Sequence, residues 1–338
     1  MSSSTPPFLS KVKPYRLGTH IFVCCLCFFV GCSFALCFIS TSDCSKSDDD
    51  VALIKTDDKF ISQKAAKNSL LLIMILSAPD HVEKRHALRR TWLSLLNHDD
   101  HHVKYLFAIG NKELLEPELN NLRTEHQHYQ DLLILPEVQD NYNLLTNKLL
   151  ASLTWAENNL KFEFLLKVDD DSYVNIRHFM NELMKKKDIE KLYWGYFNGR
   201  AQVHQKGKWK ETGWNLCDRY LPYARGGGYV ISRQLVHYLS KNSMLLNKFK
   251  NEDVAVGAWL APLNVTHVHD TRFDTEWASR GCSNQYLITH PQEISEIYKM
   301  HETLTNSGRL CQLEFEKRSA YNYDWSVLPS QCCKNLAS

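Results

Sequence analysis

Residues 162–172 read FEFLLKVDDDS, an apolar run of strand length that ends in three consecutive aspartates. A run with this little polar alternation is typical of a strand covered on both faces, as in a parallel sheet. Ligands of open α/β sheets collect at the carboxyl ends of the strands, which is where Asp169, Asp170 and Asp171 would lie. Three adjacent carboxylates repel one another unless a cation neutralises them, and their hard oxygens suit Mg²⁺ or Mn²⁺. The stretch therefore predicts a divalent-cation site that could clamp a diphosphate.

The acidic triplet also has a structural interpretation. The three aspartates could cap a helix over residues 176–184 and supply its acidic first turn, which requires no metal. Their position directly after a buried strand favours the cation site but leaves the helix cap open.

Apolar runs of the same kind occur earlier in the chain, with helical leucine patterns between them. The strand-like runs cover residues 70–76, 103–109, 132–135 and 162–168. Alternating strands and helices predict an α/β fold with a right-handed, mostly parallel sheet flanked by helices. The second half of the chain is less regular, and the economical prediction is one α/β domain over residues 69–338.

The N-terminal region contains 19 consecutive residues without a charge, residues 21–39. A helix of this length spans roughly 29 Å, close to the ~30 Å hydrocarbon core of a bilayer. Basic residues precede the run and aspartates follow it, so the positive-inside rule places the N-terminus in the cytosol. The run is longer than the apolar region of a cleaved signal peptide, which is the alternative. We therefore predict a cytoplasmic tail, a transmembrane signal anchor, a short polar stem and a lumenal catalytic domain, at residues 1–20, 21–39, 40–68 and 69–338.

The charge balance of the chain argues against nucleic acid as a partner. Forty Lys and Arg residues face 38 Asp and Glu residues, a formal net charge of +2, which gives no excess to hold a polyphosphate. Asn264 begins an Asn-Val-Thr sequon, and we predict that it is glycosylated in a lumenal surface loop.

Five cysteines of the predicted lumenal part are expected to form disulfides, because none has the spacing of a zinc site. They are Cys217, Cys282, Cys311, Cys332 and Cys333, an odd number that becomes six with Cys44, so the connectivity stays open. Adjacent cysteines can hardly bond each other without local strain. We therefore expect Cys332 or Cys333 to bond elsewhere, with Cys311 or Cys282 as partner.

Three further groups of residues could carry chemistry. Arg85 and Arg89 lie four residues apart on a predicted helix, where they could bind a phosphate or form a solvated basic face. Glu252 and Asp253 precede an apolar stretch, and either could act as a general base or cap a helix. His290 ends an apolar run, as a metal ligand or as a structural histidine.

Taken together, these motifs resemble the β-1,3-glycosyltransferase family, which builds inverted β1,3 linkages from UDP-sugars. The matching blocks follow one another over roughly residues 70–300. They are Ser77-Ala78-Pro79, Arg85-xxx-Arg89-x-Thr91-Trp92, Asp140-x-Tyr142-Asn143-Leu144, Lys167-Val168-Asp169-Asp170-Asp171, Tyr220-Leu221-Pro222-Tyr223-Ala224-x-Gly226-Gly227-Gly228 and Glu252-Asp253-Val254. Residues 272–287 and 323–333 are similar to the galactosyltransferase II branch, which builds the glycosaminoglycan–protein linkage region.

The resemblance implies a glycosyltransferase-A-type fold, Mn²⁺ as cofactor, UDP-galactose as donor and an active site in the Golgi lumen. It implies that Asp253 is the catalytic base. The implied metal ligands are Asp171, Asp169 and His290. The implied nucleotide-sugar contacts are Ser77, Ala78, Arg85, Arg89, Lys148, Asp169 and Asp170. The implied acceptor contacts are Tyr223, Gly227, Gly228 and Glu252.

The implied reaction is inverting transfer of galactose, in β1,3 linkage, to the terminal β-galactose of the galactosyl-xylosyl linker of proteoglycan core proteins. The enzyme would be a single-pass type II protein of the Golgi membrane, active in glycosaminoglycan biosynthesis. An alternative is a β-1,3-N-acetylglucosaminyl- or galactosyltransferase that acts on another glycoprotein or glycolipid. A remote alternative is a membrane-anchored lectin or assembly factor without catalytic activity. Glu276 and Trp277 are further candidates for acceptor contacts, unless they form a surface loop with a structural tryptophan.

Overall fold

The computed structural model describes residues 68–96 and 102–335 of the chain. Its strands are β1 (Ser69–Leu76), β2 (Val103–Gly110), β3 (Leu132–Leu135), β4 (Phe162–Asp169), β5 (Tyr173–Val174), β6 (Leu192–Asn198), β7 (Tyr223–Ser232), β8 (Thr266–His269), β9 (Phe273–Asp274), β10 (Gly281–Cys282), β11 (Ile288–Thr289), β12 (Phe315–Glu316), β13 (Tyr321–Tyr323) and β14 (Cys333–Asn335). Its α-helices are α1 (Val82–Arg90), α2 (Glu116–Tyr129), α3 (Leu145–Asn159), α4 (Ile176–Met184), α5 (Arg233–Lys241), α6 (Glu252–Leu260) and α7 (Ile294–Ser307). Three short 3₁₀ turns cover Trp92–Leu95, Tyr142–Leu144 and Pro329–Gln331.

A seven-stranded sheet forms the centre of the fold, with the strands in the order β3-β2-β1-β4-β7-β6-β8. Strand β7 runs antiparallel to both of its neighbours, and the other adjacent strands of this sheet pair in parallel. The prediction of a mostly parallel sheet flanked by helices is therefore confirmed. Its four predicted strands coincide with β1 to β4 to within one residue at each end.

The two central apolar runs, β1 and β4, are buried on both faces of the sheet, as their pattern predicts, whereas the first half of β2 is only partly buried. Leu71, Ile73 and Ile75 of β1 are fully buried, and so are Leu165 and Leu166 of β4. Burying a large aliphatic side chain contributes about 1.5–3 kcal/mol, so this central pair of strands forms a rigid platform. Strands β6 and β7 complete the platform with aromatic and glycine residues, which do not give a simple apolar run in the sequence.

The strand order reverses between β1 and β4, because the chain runs outward from β1 to β3 and returns to β4 on the other side. Leu76 pairs in register with Asp169, so both strands end at the same level. Gly228 pairs with Val168, which brings the first residues of β7 to this edge as well. Open α/β sheets bind ligands in the crevice outside the carboxyl ends of the strands at such a reversal. The acidic triplet and the glycine run, Gly226–Gly228, therefore meet at the expected ligand-binding edge.

The acidic triplet does not cap a helix. Asp169 is the last residue of β4, and Asp170 and Asp171 form the turn that leads to β5. The N-cap residue of α4 is Asn175, and the first turn of that helix contains no acidic residue. The structural interpretation of the triplet is therefore wrong, because the short strand β5 separates the aspartates from the helix.

The disulfide prediction is also wrong in its pairing. Cys282 is bonded to Cys311, and Cys332 is bonded to its neighbour Cys333. The pairing of β10 with β12 brings the segment that follows α7 next to Cys282, so Cys282 and Cys311 take each other as partners. Among the described residues, Cys217 is an exposed free thiol.

No helix within residues 68–96 and 102–335 is both long and apolar enough to cross a membrane. The predicted cytoplasmic tail, the signal anchor and all but the last residue of the stem lie outside the described residues, so they stay predictions. Asn264 lies in the loop between α6 and β8, and its glycosylation likewise stays a prediction.

Candidate functional site

A cleft of about 1240 Å³ opens at the edge of the sheet where β1 and β4 end. Most of the residues predicted to bind metal, donor or acceptor line it, although they come from distant parts of the sequence. They are Ser77, Ala78, Lys148, Asp169, Asp170, Asp171, Tyr223, Gly227, Glu252, Asp253 and His290. The other three residues predicted for these roles, Arg85, Arg89 and Gly228, are not among the residues that line the cleft.

Asp169, Asp171 and His290 bring three potential metal-binding atoms within 4.8 Å of one another. His290 Nε2 lies 3.2 Å from Asp171 Oδ1 and 3.6 Å from Asp169 Oδ2. His290 Nδ1 lies 3.0 Å from the backbone oxygen of Glu276. Because a carbonyl oxygen can only accept, Nδ1 must carry the proton, and in the neutral ring Nε2 turns its lone pair toward the carboxylates. The two carboxylate oxygens and the Nε2 lone pair are all acceptors, so they repel one another unless a cation lies between them.

The charge balance of this group depends on a neighbouring cation or proton. Burial raises the pKa of Asp169. Burial acts in the same direction on Asp171, but the adjacent His290 and the charge of Lys84 outweigh it and lower the pKa of Asp171 to about 2. Burial lowers the pKa of His290, yet the two aspartates overcome this effect and raise it. When His290 is neutral, the buried Asp171 Oδ1 has no hydrogen-bond donor among the described residues, and a cation would satisfy it.

Gly227 makes room for the histidine. A Cβ atom on Gly227 would lie 2.5 Å from the ring of His290, closer than real Cβ contacts come. Glycine is therefore required here for the close approach of His290 to the strand. Gly228 serves a different purpose, because a Cβ there would meet Ile288 and Val168 inside the core. Gly228 does not line the cleft, and its contact with the acceptor stays a prediction.

Lys167 links the group of Asp169, Asp171 and His290 to the opposite wall of the cleft. Its ammonium group is fully buried and donates hydrogen bonds to Asp169 Oδ1 at 2.8 Å, Glu252 Oε1 at 2.7 Å and Gly226 O at 2.6 Å. Burial lowers the pKa of Lys167, but its two carboxylate partners outweigh burial and raise it, so the lysine stays charged. Glu252, predicted as an acceptor contact, is thereby held as the partner of a buried cation at the edge of the cleft.

Asp253 has the environment of a general base. Its Oδ2 accepts the backbone N–H of Gly226 at 3.1 Å, and its Oδ1 accepts that of Val254 at 2.8 Å. Burial, and next the charge of Glu252, raise the pKa of Asp253 to about 7. A carboxylate whose pKa lies near neutrality can take a proton in one step and release it in the next.

The sequence model of the galactosyltransferase family matches residues 83–271, more than half of the chain. The chain belongs to this family. It is 45% identical over 269 residues to β-1,3-galactosyltransferase 6 of Mus musculus, a match that covers 79% of this chain and 83% of that protein. It is 30% identical over 250 residues to hydroxyproline O-galactosyltransferase GALT6 of Arabidopsis thaliana, which covers 71% of this chain and 35% of that protein. A UDP-GalNAc:β-1,3-N-acetylgalactosaminyltransferase 2 of Xenopus laevis is 34% identical over 197 residues, 57% of this chain and 39% of that protein.

The chain is thus a glycosyltransferase of the β-1,3-galactosyltransferase family. It spans most of the mouse relative, but only a little over a third of the plant and frog proteins. Membership implies a nucleotide-sugar donor and a glycan acceptor, and the family model spans the acidic triplet and Asp253.

The structure places two predicted nucleotide contacts of this galactosyltransferase away from the cleft. Arg85 is fully buried and donates to Glu125 at 2.8 and 2.6 Å and to the backbone oxygens of Ala78 and Pro79. Arg89 donates to Glu125 at 2.7 Å and to Asp131 at 2.8 Å. Their charges are therefore occupied by carboxylates, and the prediction that either arginine binds a phosphate directly is wrong.

Arg85 nevertheless holds the wall of the cleft at Ser77 and Ala78 in place. Arg85 also donates to Ser77 Oγ, and Ser77 Oγ in turn donates to Asp170 Oδ2 at 2.7 Å. Lys148 donates to Ser77 O at 2.5 Å and to Asp140 Oδ1 at 2.7 Å. The segment after β1 is thus fixed from both sides, which positions Ser77 and Ala78 at the mouth of the cleft.

Two cleft residues beside Asp170 were not predicted from the sequence. Lys84 Nζ lies 3.2 Å from Asp170 Oδ1 and 3.6 Å from Asp171 Oδ2, and it remains about one-third exposed. His81 Nδ1 lies 2.7 Å from Asp170 Oδ2. The available signal was their position in the loop and first turn after β1, because that connection lies beside the carboxyl end of β4 in a parallel pair.

Proposed function

We propose that this enzyme transfers galactose from UDP-galactose, with inversion, to the 3-hydroxyl of a terminal β-galactose in the galactosyl-xylosyl linker of proteoglycan core proteins. One observation carries the proposal: Asp253 lines the same cleft as the Asp169, Asp171 and His290 group. A base for the acceptor and a group that can neutralise a leaving diphosphate are the two requirements of a single displacement at an anomeric carbon.

Asp253 is the proposed general base. The two backbone N–H groups that it accepts fix the orientation of its carboxylate, so no reorganisation is needed when the acceptor arrives. As the acceptor oxygen forms its bond to C1 of galactose, its proton passes to Asp253. The bond between C1 and the UDP oxygen breaks, and UDP leaves with the electron pair.

We propose Mn²⁺ as the resident cation, held by Asp169, Asp171 and His290. When bound, such a cation neutralises the charge that develops on the diphosphate. The donor set fits this role, because two carboxylate oxygens and an imidazole nitrogen are ligands that Mn²⁺ accepts. Lys84 lies next to Asp171 on the donor side, where its exposed ammonium group can reach a phosphate oxygen.

The finer parts of the proposal are supported by sequence. The acceptor assignment is supported by the resemblance of residues 272–287 and 323–333 to the linkage-region branch, and the transfer of galactose in β1,3 linkage is supported by the mouse relative. The glycosyltransferase-A type of fold is supported by the mostly parallel sheet with acidic residues at its carboxyl edge. The Golgi location and the type II topology are supported by the charge asymmetry around residues 21–39.

The deciding experiment offers the full-length enzyme UDP-galactose together with galactosyl-β1,4-xyloside or an acceptor that ends in N-acetylglucosamine, with and without Mn²⁺. We expect a β1,3-linked digalactosyl product from the xyloside, only in the presence of the cation. Preference for the N-acetylglucosamine acceptor would overturn the linker assignment. Use of another UDP-sugar in place of UDP-galactose would overturn the donor assignment.

Topology needs a separate test. Protease added to intact Golgi vesicles should spare the catalytic domain and digest it only after detergent. Digestion from the outside in sealed vesicles would contradict a lumenal catalytic domain.

A further inference from the structure

The wall of the cleft next to Asp253 contains two polar groups that lack partners. Arg225 Nε and Thr275 Oγ1 are buried, and neither makes a hydrogen bond within the described residues. Both residues line the cleft. A buried donor without a partner costs about 1–3 kcal/mol, so two of them in one wall indicate a ligand that satisfies them.

Arg225 is placed beside the base and held only loosely. It directly precedes Gly226, whose backbone N–H donates to Asp253. Its guanidinium group makes one long hydrogen bond, 3.3 Å to the hydroxyl of Tyr223, and approaches Glu276 Oε1 only to 3.8 Å. A hydroxyl group that reaches Asp253 therefore comes close to an arginine with unused donor capacity.

Thr275 approaches the same place from the neighbouring segment. Its backbone oxygen accepts the N–H of Gly227 at 3.3 Å, which fixes the residue against the glycine run. The residue is 1% exposed and its hydroxyl has no hydrogen-bond partner within the described residues, yet it lines the cleft. Valine would fill the same space without this cost, so the polar group at this position has no structural reason.

The surrounding charges select a neutral ligand. Glu276 lies between Arg225, Arg280 and Arg318, at 3.7 to 3.8 Å from each. The three arginines are balanced by the carboxylates of Glu276, Asp253 and Asp274, so this wall carries little net charge, and its donors and acceptors suit the hydroxyl groups of a neutral sugar. Trp277 is 63% exposed and lines the rim of the cleft, where its ring can pack on the apolar face of a hexose.

We propose that Arg225 and Thr275 form the polar wall of the acceptor subsite. They determine acceptor specificity by binding the two hydroxyl groups that flank the attacking hydroxyl of the sugar. The inference rests on the proposed function, since it assigns the acceptor side of that same site. Its ligand class is a neutral hexose with adjacent free hydroxyls, and for a galactose attacked at its 3-hydroxyl these are the 2- and 4-hydroxyls. Glu276 and Trp277 complete the subsite as acceptor and platform.

The test compares galactosyl-β1,4-xyloside with its 2-deoxy and 4-deoxy analogues in the wild type and in Arg225→Met, Arg225→Lys and Thr275→Val. The kcat/KM of the wild type should be roughly 10- to 100-fold higher for the parent acceptor than for each deoxy analogue. This is the range expected for the loss of one hydrogen bond to a neutral or charged group. In Arg225→Met the preference over one analogue should shrink to about threefold or less, with partial rescue in Arg225→Lys. Arg233→Met is the matched control, since Arg233 pairs with Glu157 and does not line the cleft.

Thr275→Val separates a binding role from a structural role. Because the hydroxyl has no partner, the variant should melt at the same or a higher temperature, while its kcat/KM for the parent acceptor falls roughly 5- to 10-fold. UDP affinity, measured by calorimetry with Mn²⁺, should be unchanged in all variants, because the donor side is untouched.

The outcomes distinguish the two proposals. If the wild type transfers no galactose to the parent galactoside, the proposed function fails and this inference fails with it. If the wild type transfers galactose and every variant keeps its preference among the three acceptors, only the assignment of Arg225 and Thr275 is overturned.

Discussion

Replacing Asp253 with asparagine should nearly silence the enzyme. A positioned general base contributes roughly 10²–10⁴-fold to the rate, and an amide cannot take the proton of the acceptor, so kcat should fall by about this factor. The substitution also has a structural cost. Both carboxylate oxygens accept backbone N–H groups, from Gly226 and Val254, whereas the amide introduced by Asp253→Asn offers only one acceptor oxygen. One buried N–H loses its partner, which costs about 1–3 kcal/mol in the free energy of unfolding.

The pH dependence provides a sharper signature than the rate alone. The raised pKa of about 7 means that the unprotonated, base-competent form of Asp253 predominates above neutrality. Activity of the wild type should therefore fall as the pH drops through this value, approaching about tenfold per pH unit. A bound cation adds positive charge to the cleft, so the acidic limb should lie at about pH 7 or somewhat below. The residual activity of Asp253→Asn should lack this limb.

The assay measures galactose transfer from about pH 5 to about pH 9, together with UDP affinity by calorimetry and thermal unfolding. UDP affinity should be unchanged, because Asp253 lies on the acceptor side of the displacement. Glu157→Gln is a suitable control, since this carboxylate pairs with Arg233 and His237 and does not line the cleft. The assignment of Asp253 as the base would be refuted if Asp253→Asn kept activity within about tenfold of the wild type, or if the acidic limb persisted.

The contacts around the cleft lead to four more expected outcomes. Gly227→Ala should displace the His290 ring, which would lie 2.5 Å from the new Cβ. A metal titration of activity should then show Mn²⁺ affinity weakened about 10- to 100-fold, and unchanged affinity would contradict the packing argument. Lys167→Met should leave the carboxylates of Asp169 and Glu252, the second of them buried, without their cation. We expect the free energy of unfolding to fall by about 3–5 kcal/mol, so an unchanged urea midpoint would count against this prediction. Glu125→Gln should loosen Arg85 and raise KM for UDP-galactose more than KM for the acceptor; equal changes would argue against a donor-side role. Chelation should abolish transfer and added Mn²⁺ should restore it, so full activity in the chelator would exclude the metal.

Much of the fold could be predicted from local patterns. The four apolar runs correspond to β1 to β4, because a strand buried on both faces of a parallel sheet needs an apolar side chain at nearly every position. The position of Asp169–Asp171 at the end of such a run predicted their place at the ligand-binding edge, since all parallel strands end on the same side. Strands β6 and β7 were not predicted, because their aromatic and glycine residues pack through contacts that the sequence pattern does not reveal.

The sequence predicted which charged residues line the cleft in some cases but not in others. Asp253 and His290 line the cleft as the resemblance implies, but Arg85 and Arg89 do not. A pair of arginines on a helix looks the same whether it faces a phosphate or a buried carboxylate. Glu125, 40 residues beyond Arg85 in the chain, is the carboxylate that pairs with both arginines, and nothing in the sequence around it indicates this role.

The sequence by itself thus determined the α/β class, the central strands and the position of the acidic triplet, because each depends on residues that are neighbours in the chain. The tertiary structure decided which charges remain available for chemistry. It pairs Lys167 with Asp169 and, across 85 residues, with Glu252, seats His290 against Gly227, and leaves Arg225 without a strong partner. Charged groups pair when they lie within a few ångströms in space, whatever their separation along the chain. Only the folded structure therefore shows which charged groups pair.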